Sequence, residues 1–241
     1  MNMLEIDVGN TRLKWRLLNE DGNALRSGTE LLKTEPFAFL QVEPLPKRVR
    51  VSCVRGEEFR QLLVKLIGDQ WGLLPEFAES QASGMGLMNA YEHPQRLGVD
   101  RWLAMLAARQ ITNGAFCVVD AGSALTMDFV DSAGQHLGGY IVPGLNLQKS
   151  SLLQNTAIRI PEFAVKAQLC PGRNTESAIH NGVVSMSVSW IIDEYRKRLK
   201  CAELILTGGD APLIAGYLQN ESISCRLVPD LVMDGLRVAL P

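Results

Sequence analysis

Alternating apolar and polar residues near the start of the chain predict a half-buried β-hairpin. In "LKWRL", residues 13–17, Leu13, Trp15 and Leu17 fall on one face and two basic residues fall on the other, which is the period of a strand. The turn residues "NEDG" follow, and "NALRSG" returns as a third short strand. Before the hairpin's second strand, "DVGNTRLK" at residues 7–14 interrupts the apolar pattern with an acid, a glycine and small polar residues.

The same pattern recurs in "FCVVDAGSALTMDFVDSAGQHLGG", which starts at Phe116. Leu13 corresponds to Leu125, 112 residues later, whereas Asp7 corresponds to Asp120, 113 residues later. The first turn is therefore one residue longer than the second. Because the acid, the glycine, both alternating strands and the second turn all match, we infer an internal duplication.

Each repeat continues with a strand that breaks into small residues and is followed by a helix. These segments are "VRVSCVRGEEFRQLLVKLIGDQWG" and "AELILTGGDAPLIAGYLQ". Helical patterning also covers residues 101–112, 145–155 and 176–200. The pattern predicts an α/β protein with two similar sheet-and-helix lobes. The expected boundary lies near residues 113–114, with an N-terminal lobe at 1–113 and a C-terminal lobe at 114–241.

Composition excludes several classes of protein. With 46% apolar and 21% charged residues, the chain can bury a core and does not have the composition of a disordered protein. The net charge of −2 gives no reason to expect nucleic acid or an anionic membrane as a partner. Basic runs at 47–50 and 196–198 are expected to be solvated faces. No apolar run approaches the ~18–20 residues that span a bilayer, and the N terminus does not resemble a secretory signal.

The cysteines and histidines are too scattered to indicate a metal site. The five cysteines, at 53, 117, 170, 201 and 225, form no CxxC pair, and the three histidines form no HExxH motif. Such spacing fits neither a zinc site nor a secreted disulfide framework. We therefore expect a reduced, cytoplasmic protein without a structural metal.

The two "DxG" turns offer groups that bind nucleotide phosphates. Backbone N–H groups and small side chains allow a phosphate to approach closely, and a carboxylate can hold its accompanying cation through water. "DVGNT" and "DAGSA" each supply an acid, a glycine and hydrogen-bonding side chains, and Lys14 adds a positive charge. The alternative is that these turns are simply good hairpin formers. The P-loop pattern GxxxxGK[ST] does not occur.

Four linked motifs carry a resemblance to a known family: "DVGNT…K", "DAGSALTMD", "GGYIVPG" and "LTGGDA", in this order. They resemble the superfamily of actin, sugar kinases and heat-shock ATPases. The segment "GLMNAYEHPQRLGVDRWLAMLAA", residues 86–108, is narrower and resembles type III pantothenate kinases. The resemblance runs over about residues 3–210. It implies two ribonuclease-H-like lobes with a nucleotide cleft between them, and transfer of the ATP γ-phosphate to pantothenate as the first step of coenzyme A synthesis.

The resemblance also implies which residues bind ATP and its cations. Asp7 would hold Mg²⁺, through water, and Asp120 would hold K⁺ or NH₄⁺. Ser123 stands where the family usually has threonine, and it keeps the hydroxyl. Contacts to ATP are implied for Asp7, Val8, Gly9, Asn10, Thr11, Arg12, Leu13, Lys14, Ser123, Gly208 and Gly209. The alternative for the last two glycines is an ordinary strand–helix turn.

For the acceptor substrate, the resemblance makes Asp100 the base that accepts the proton of the attacking hydroxyl, and Arg101 the clamp on the pantothenate carboxylate. Substrate contacts are implied for Tyr91, Gly98, Val99, Asp100, Arg101 and Thr175, the last across the interface of a homodimer. The structural alternatives are an N-cap at Asp100, a solvated arginine at 101, a half-buried aromatic at 91 and helix capping at residues 174–175.

Two other functions remain open from the residues. One is a different sugar kinase or phosphohydrolase of the same superfamily. The other is a regulatory protein of this fold that has lost catalysis. The four residues Asp7, Asp100, Arg101 and Asp120 argue against the second, because a binding protein does not need them all.

Overall fold

The computed structural model describes residues 2–32, 37–160, 168–198 and 202–241. It divides into two compact units, Met1–Ile111 with Leu231–Pro241, and Thr112–Asp230. The division differs from the predicted lobes at the C terminus, because the last eleven residues belong to the first unit. Cys201 and the end of the predicted 176–200 helix lie outside the described residues.

The first unit contains a mixed five-stranded sheet in the order β3-β2-β1-β4-β5 among its described residues. Strand β2 is antiparallel to both of its neighbours, β1 and β3, and β4 and β5 run parallel to β1. The strand bounds are β1 Met3–Val8, β2 Arg12–Leu18, β3 Ala24–Leu31, β4 Arg48–Cys53 and β5 Glu76–Phe77. A small hairpin of β6 Ser83–Gly84 and β7 Leu87–Met88 follows.

The second unit repeats this topology, with the order β10-β9-β8-β11-β12. Its first three strands are again antiparallel and the last two run parallel to β8. The bounds are β8 Phe116–Ala121, β9 Ala124–Val130, β10 His136–Pro143, β11 Glu203–Thr207 and β12 Arg226–Leu227. The prediction of an α/β fold with two similar sheet lobes is therefore confirmed, and the shared topology agrees with an internal duplication.

Helices connect and cover the strands of each unit. In the first unit these are α1 Glu57–Trp71, α2 Val99–Ile111 and α6 Leu231–Ala239; in the second they are α3 Leu145–Asn155, α4 Thr175–Arg198 and α5 Ala211–Asn220. The predicted helix at 145–155 matches α3, and the one at 101–112 starts two residues late and ends one residue beyond α2. None of the helices described is long and apolar enough to cross a membrane.

The turns that close the two hairpins are built in the same way. The side-chain oxygen of Asn19 accepts hydrogen bonds from the N–H groups of residues 21 and 23, and that of Asp131 accepts them from residues 133 and 135. Each turn then places a glycine at positive φ, Gly22 at 80° and Gly134 at 87°, a conformation that glycine adopts without a steric penalty. Because each turn depends on an Asn or Asp and a glycine that are close together in the chain, the repeat can be recognised from the sequence.

The alternating strands bury their apolar faces as predicted. In β2, the side chains of Leu13 and Leu17 are fully buried and that of Trp15 is nearly so. The second unit departs from simple alternation, because Asp128 on the other face of β9 is also buried. Its carboxylate is 3.0 Å from Nε2 of the buried His136. The histidine therefore takes the place that water would have as a partner of this carboxylate.

The basic run at 47–50 is not a solvated face, contrary to the prediction. Arg50 is only 4% exposed and lies 3.3 Å from the carboxylate of Glu5, which is fully buried. Arg48 binds both carboxylate oxygens of Glu76, at 2.6 and 2.7 Å. The prediction was wrong because strands that are distant in sequence provide the acids, and local composition does not show them.

The C-terminal helix α6 joins the first unit for similar reasons. Asp234 forms an ion pair with Arg16 of β2 at 2.8 Å. A Cβ atom on Gly235 would collide with the backbone of Leu103 in α2, so the glycine allows the two helices to pack closely. The apolar side chains Leu231, Met233 and Leu236 are buried. Burial of this apolar face accounts for the helix's place in the first unit.

Candidate active site

The two "DxG" turns have equivalent geometry in their respective units. In the first, the N–H of Gly9 donates to the carbonyl of Arg12 at 3.0 Å; in the second, the N–H of Gly122 donates to the carbonyl of Ala124 at 3.0 Å. Across the hairpins, Asp7 pairs with residue 14 and Asp120 with residue 126. The longer first turn that the sequence predicts is therefore present.

Side chains of the first turn divide into exposed and buried groups. Asn10, Thr11 and Arg12 are exposed, so they can reach a ligand. Val8 and Leu13 are fully buried in the core of the first unit. Any contact of these two residues with a nucleotide must therefore be made by their backbone groups.

Asp7 is the partly buried acid of the first turn. Its Oδ1 atom is buried, and no hydrogen-bond partner for it is found among the described residues. Burial raises the pKa of Asp7 to about 6; the Ser52 hydroxyl opposes this rise, Asp100 adds to it, and Lys14 opposes it. Asp100 and Lys14 thus both act on Asp7 within the first unit.

Asp100 lies in the first turn of α2 and is not its N-cap. The helix begins at Val99, and the N–H of Trp102 donates to the carbonyl of Gly98 at 3.1 Å. Oδ1 of Asp100 accepts a hydrogen bond from the N–H of Arg101 at 2.8 Å. A Cβ on Gly98 would lie 2.6 Å from that same oxygen. The glycine therefore leaves room for the carboxylate, and an acid is favoured at this end of a helix.

Arg101 and Tyr91 are brought together by the fold. Arg101 is 6% exposed, so the alternative of a solvated arginine is wrong. Its Nη1 donates a hydrogen bond to the Tyr91 hydroxyl at 2.9 Å, and its guanidinium carbon lies 5.8 Å from the centre of the Tyr91 ring. Val99, at 8% exposure, can offer a ligand little more than its backbone.

In the second unit, glycines surround the carboxylate of Asp120. Gly208 has a φ of 93°, and a Cβ there would collide with Oδ1 of Asp120 and with the backbone of Ala121. A Cβ on Gly122 would lie 3.3 Å from the same carboxylate oxygen. The strand–helix turn itself thus requires Gly208, whereas Gly209 is exposed, as is Ser123 in the turn.

Gly144 is a residue of this site that sequence reasoning missed. A Cβ there would collide with the carbonyl oxygens of Gly122 and Ser123, and its N–H donates to the Ser123 carbonyl at 3.1 Å. It therefore holds the second turn against the start of α3. The only sequence signal was its place in the motif "GGYIVPG", which does not show what the glycine contacts.

Thr175 is the first residue of α4, and its side chain is exposed. Asn174 performs the capping, because its Oδ1 accepts a hydrogen bond from the N–H of Ser177 at 2.8 Å. Gly172 packs so closely that a Cβ would collide with the backbone of Ala178. The capping alternative therefore applies to residue 174 and leaves the Thr175 side chain available.

The carboxylates near the two "DxG" turns fit a cation whose ligands are mainly phosphate oxygens and water. Among the described residues, no group of three or more His, Cys, Asp or Glu side chains could hold a metal ion alone. Asp7 supplies a single carboxylate, whose buried oxygen has no hydrogen-bond partner in the described part of the chain. One or two carboxylates with waters and substrate phosphates are the usual environment of Mg²⁺ at such sites.

Comparisons with known proteins identify the class and then the family. A Campylobacter jejuni protein assigned to the Baf family of transcriptional activators has a TM-score of 0.62 at 24% identity, over 97% of this chain and 95% of that one. A Sinorhizobium meliloti protein assigned as a 2-dehydro-3-deoxygalactonokinase has a TM-score of 0.60 at 13% identity, over 98% and 97%. These likenesses show that the chain shares the fold of both proteins.

The sequence comparison is more specific. A model of the type III pantothenate kinase family matches residues 3–197. A type III pantothenate kinase from Cellvibrio japonicus is 38% identical over 245 residues, which cover 98% of this chain and 96% of that protein. The chain belongs to the type III pantothenate kinase family, as its motifs predicted.

Proposed function

We propose that this chain transfers the γ-phosphate of ATP to the hydroxyl of pantothenate, giving 4′-phosphopantothenate, the first step of coenzyme A biosynthesis. One observation carries the assignment of the reacting site: Asp100, in the first turn of α2, precedes an arginine that donates a hydrogen bond to Tyr91. Burial raises the pKa of Asp7, and the charge of Asp100 adds to that rise. The base, the substrate clamp and the phosphate-side acid thus belong to one unit.

Asp100 acts as the base. A phosphoryl transfer requires little covalent work from the protein, and an aspartate aligned with the attacking hydroxyl accepts its proton. The N–H of Arg101 holds Oδ1 of the carboxylate at 2.8 Å, and in this proposal Oδ2 accepts the proton of the hydroxyl. The missing side chain of Gly98 leaves room for Oδ1, so the carboxylate can keep this orientation.

Arg101 binds the pantothenate carboxylate. Its guanidinium presents a planar fork of donors, which suits a carboxylate bidentately. The hydrogen bond to Tyr91 uses Nη1 and fixes the orientation of the fork. Tyr91, Gly98, Val99 and Thr175 complete the substrate contacts, with Val99 contributing its backbone.

The first turn binds the phosphates through the N–H groups and exposed side chains of residues 8–13, and Lys14 adds its charge. Asp7 would hold Mg²⁺ through water, and the ion would supply positive charge to the phosphates of ATP. In the second unit, Ser123, Gly208 and Gly209 contact the nucleotide. Asp120 holds K⁺ or NH₄⁺, and the glycines around its carboxylate leave space for such an ion.

The proposed assembly is a homodimer in which Thr175 contacts the substrate of the partner subunit. The exposed first residue of α4, with its capping left to Asn174, supports this role. The proposed compartment is the cytoplasm, in keeping with free thiols at Cys53, Cys117, Cys170 and Cys225.

The test is ATP-dependent phosphorylation of pantothenate by the purified protein with Mg²⁺, in K⁺ and then in Na⁺. We expect the phosphorylated product only when pantothenate is present, and faster turnover in K⁺. Absence of product in both salts would refute the assignment. A panel of sugars would then test for another kinase of the superfamily, and nucleotide binding without turnover would indicate a regulatory protein.

A further inference from the structure

Ser52 lies next to Asp7 in the sheet of the first unit. Strand β4 runs parallel to β1, and the register pairs Asp7 with Ser52. Side chains at paired positions of neighbouring strands project from the same face. Ser52 is fully buried, so its hydroxyl is delivered to the buried side of the Asp7 carboxylate.

Two buried polar atoms at this point lack partners. Neither the Ser52 hydroxyl oxygen nor Oδ1 of Asp7 has a hydrogen-bond partner among the described residues. Buried polar groups are normally satisfied, because leaving one unpaired costs stability. The register places Ser52 beside this carboxylate, and a hydroxyl can donate a hydrogen bond that a carboxylate oxygen accepts.

Glu5, the neighbouring acid on the same face of β1, is flanked by positive charges on both sides, which Ser52 does not provide for Asp7. Glu5 lies between Arg16 of β2 and Arg50 of β4 in the register, and both guanidiniums bind its carboxylate, at 2.6 and 3.3 Å. Its charge is therefore compensated from both sides. Asp7, two residues further along β1, lies between Lys14 and Ser52. One of its two flanking positions is thus neutral.

The equivalent acid in the second unit has no cation at either flanking position. Asp120 lies between Thr126 of β9 and Thr207 of β11. At both acids the parallel neighbour is a small residue with a hydroxyl, and at neither is it a basic residue. The Thr207 hydroxyl donates a hydrogen bond to the carbonyl of Pro229 at 3.3 Å. The Ser52 hydroxyl, in contrast, has no hydrogen-bond partner among the described residues.

We propose that Ser52 is a positioning residue of the phosphate site, whose hydroxyl donates a hydrogen bond to Oδ1 of Asp7 and orients the carboxylate without neutralising it. The outer oxygen of Asp7 then faces the Mg²⁺–nucleotide with its charge available. This inference rests on the proposed role of Asp7. Residues that orient a metal ligand in this way affect metal affinity or activity by about 10–100-fold when they are replaced.

The test compares Ser52→Thr with Ser52→Val. Threonine and valine have nearly the same shape, and valine has a methyl group where threonine has the hydroxyl. The affinities for ADP with Mg²⁺ and for ADP without metal are measured by calorimetry, in the absence of pantothenate, so that no turnover is involved. We expect Ser52→Val to bind the Mg²⁺–ADP complex about tenfold more weakly than Ser52→Thr, and both to bind metal-free ADP equally. Equal affinities for the Mg²⁺ complex would overturn the inference.

Asp7→Asn separates this inference from the proposed function. If that variant keeps the full gain in ADP affinity from Mg²⁺, the role proposed for Asp7 is wrong. If it loses the gain while the two Ser52 variants remain equal, only the inference about Ser52 fails. Should the extra methyl prevent folding of both variants, Ser52→Ala in the same binding experiment replaces them, because it removes the hydroxyl without adding volume.

Discussion

Arg101 donates a hydrogen bond from Nη1 to the hydroxyl of Tyr91 at 2.9 Å, although ten residues and a 3₁₀ turn at Pro94–Arg96 separate them. Both residues are proposed substrate contacts, and this hydrogen bond links them directly. The tyrosine hydroxyl thereby orients an arginine that is only 6% exposed.

Arg101→Lys tests the clamp on the substrate carboxylate. Lysine keeps the charge but loses the planar fork. Loss of charge-assisted hydrogen bonds worth ~1.5–3 kcal/mol corresponds to a rise in the KM for pantothenate of about 10–100-fold. Steady-state kinetics at saturating ATP measures this. We expect Tyr91→Phe to raise the same KM less, because it removes only the orienting hydroxyl; an unchanged KM in Arg101→Lys would contradict the assignment.

Asp100→Asn tests the base. Asparagine has nearly the same shape and can still accept the N–H of Arg101, but it cannot take the proton of the attacking hydroxyl. We expect kcat to fall roughly 10²–10⁴-fold with an unchanged melting temperature. Both are measured on the same preparation. A variant with wild-type kcat would leave Asp100 only the electrostatic role of a first-turn acid.

Gly208→Ala tests the turn that surrounds Asp120. An L-residue at a φ of 93° is strained by about 1–2 kcal/mol, and the added Cβ also collides with Asp120 and Ala121. We expect the free energy of unfolding, measured in urea, to fall by at least that amount. Gly216→Ala in α5 is the matched control: nothing lies within 4 Å of its added Cβ, so a helix-interior alanine should stabilise by about 0.5–1 kcal/mol. Equal effects would argue against strain at 208.

Asp7→Asn tests the buried acid through the pH dependence of stability. Burial raises the pKa of Asp7 to about 6 from 3.8, so between these values the folded chain holds a proton that the unfolded chain releases. The stabilisation is complete below the unfolded pKa and is lost as pH rises through about 6. Relative to the wild type, Asp7→Asn should therefore gain stability between about pH 4 and pH 7, by up to roughly 3 kcal/mol.

Urea unfolding of the protein without nucleotide or metal ion, repeated across that pH range, measures the difference between the two chains. A difference that stays constant with pH would show that Asp7 has an ordinary pKa. A wild type that becomes more stable relative to the variant as pH rises would show that the sign of the shift is wrong.

The features that local sequence determines were readable without a structure. The period of two in β2 and β9, the Asx turns at Asn19 and Asp131, and the offset between Asp7 and Lys14 compared with that between Asp120 and residue 126 all depend on residues close together in the chain. Hairpins obey such local rules. The repeated α/β lobes, the unequal turns and the family followed from them.

Tertiary structure decided which distant residues meet. Ser52 reaches Asp7, and Arg50 reaches Glu5, only because β4 pairs in parallel with β1 across more than forty residues. The helix α6 joins the first unit through Arg16 and Leu103, and Arg101 is buried against Tyr91. Periodicity shows which face of an element is apolar, but the register of parallel strands and the docking of helices are set by packing between remote segments. For that reason the sequence by itself indicated the acids of the site, and only the fold showed which groups orient and compensate them.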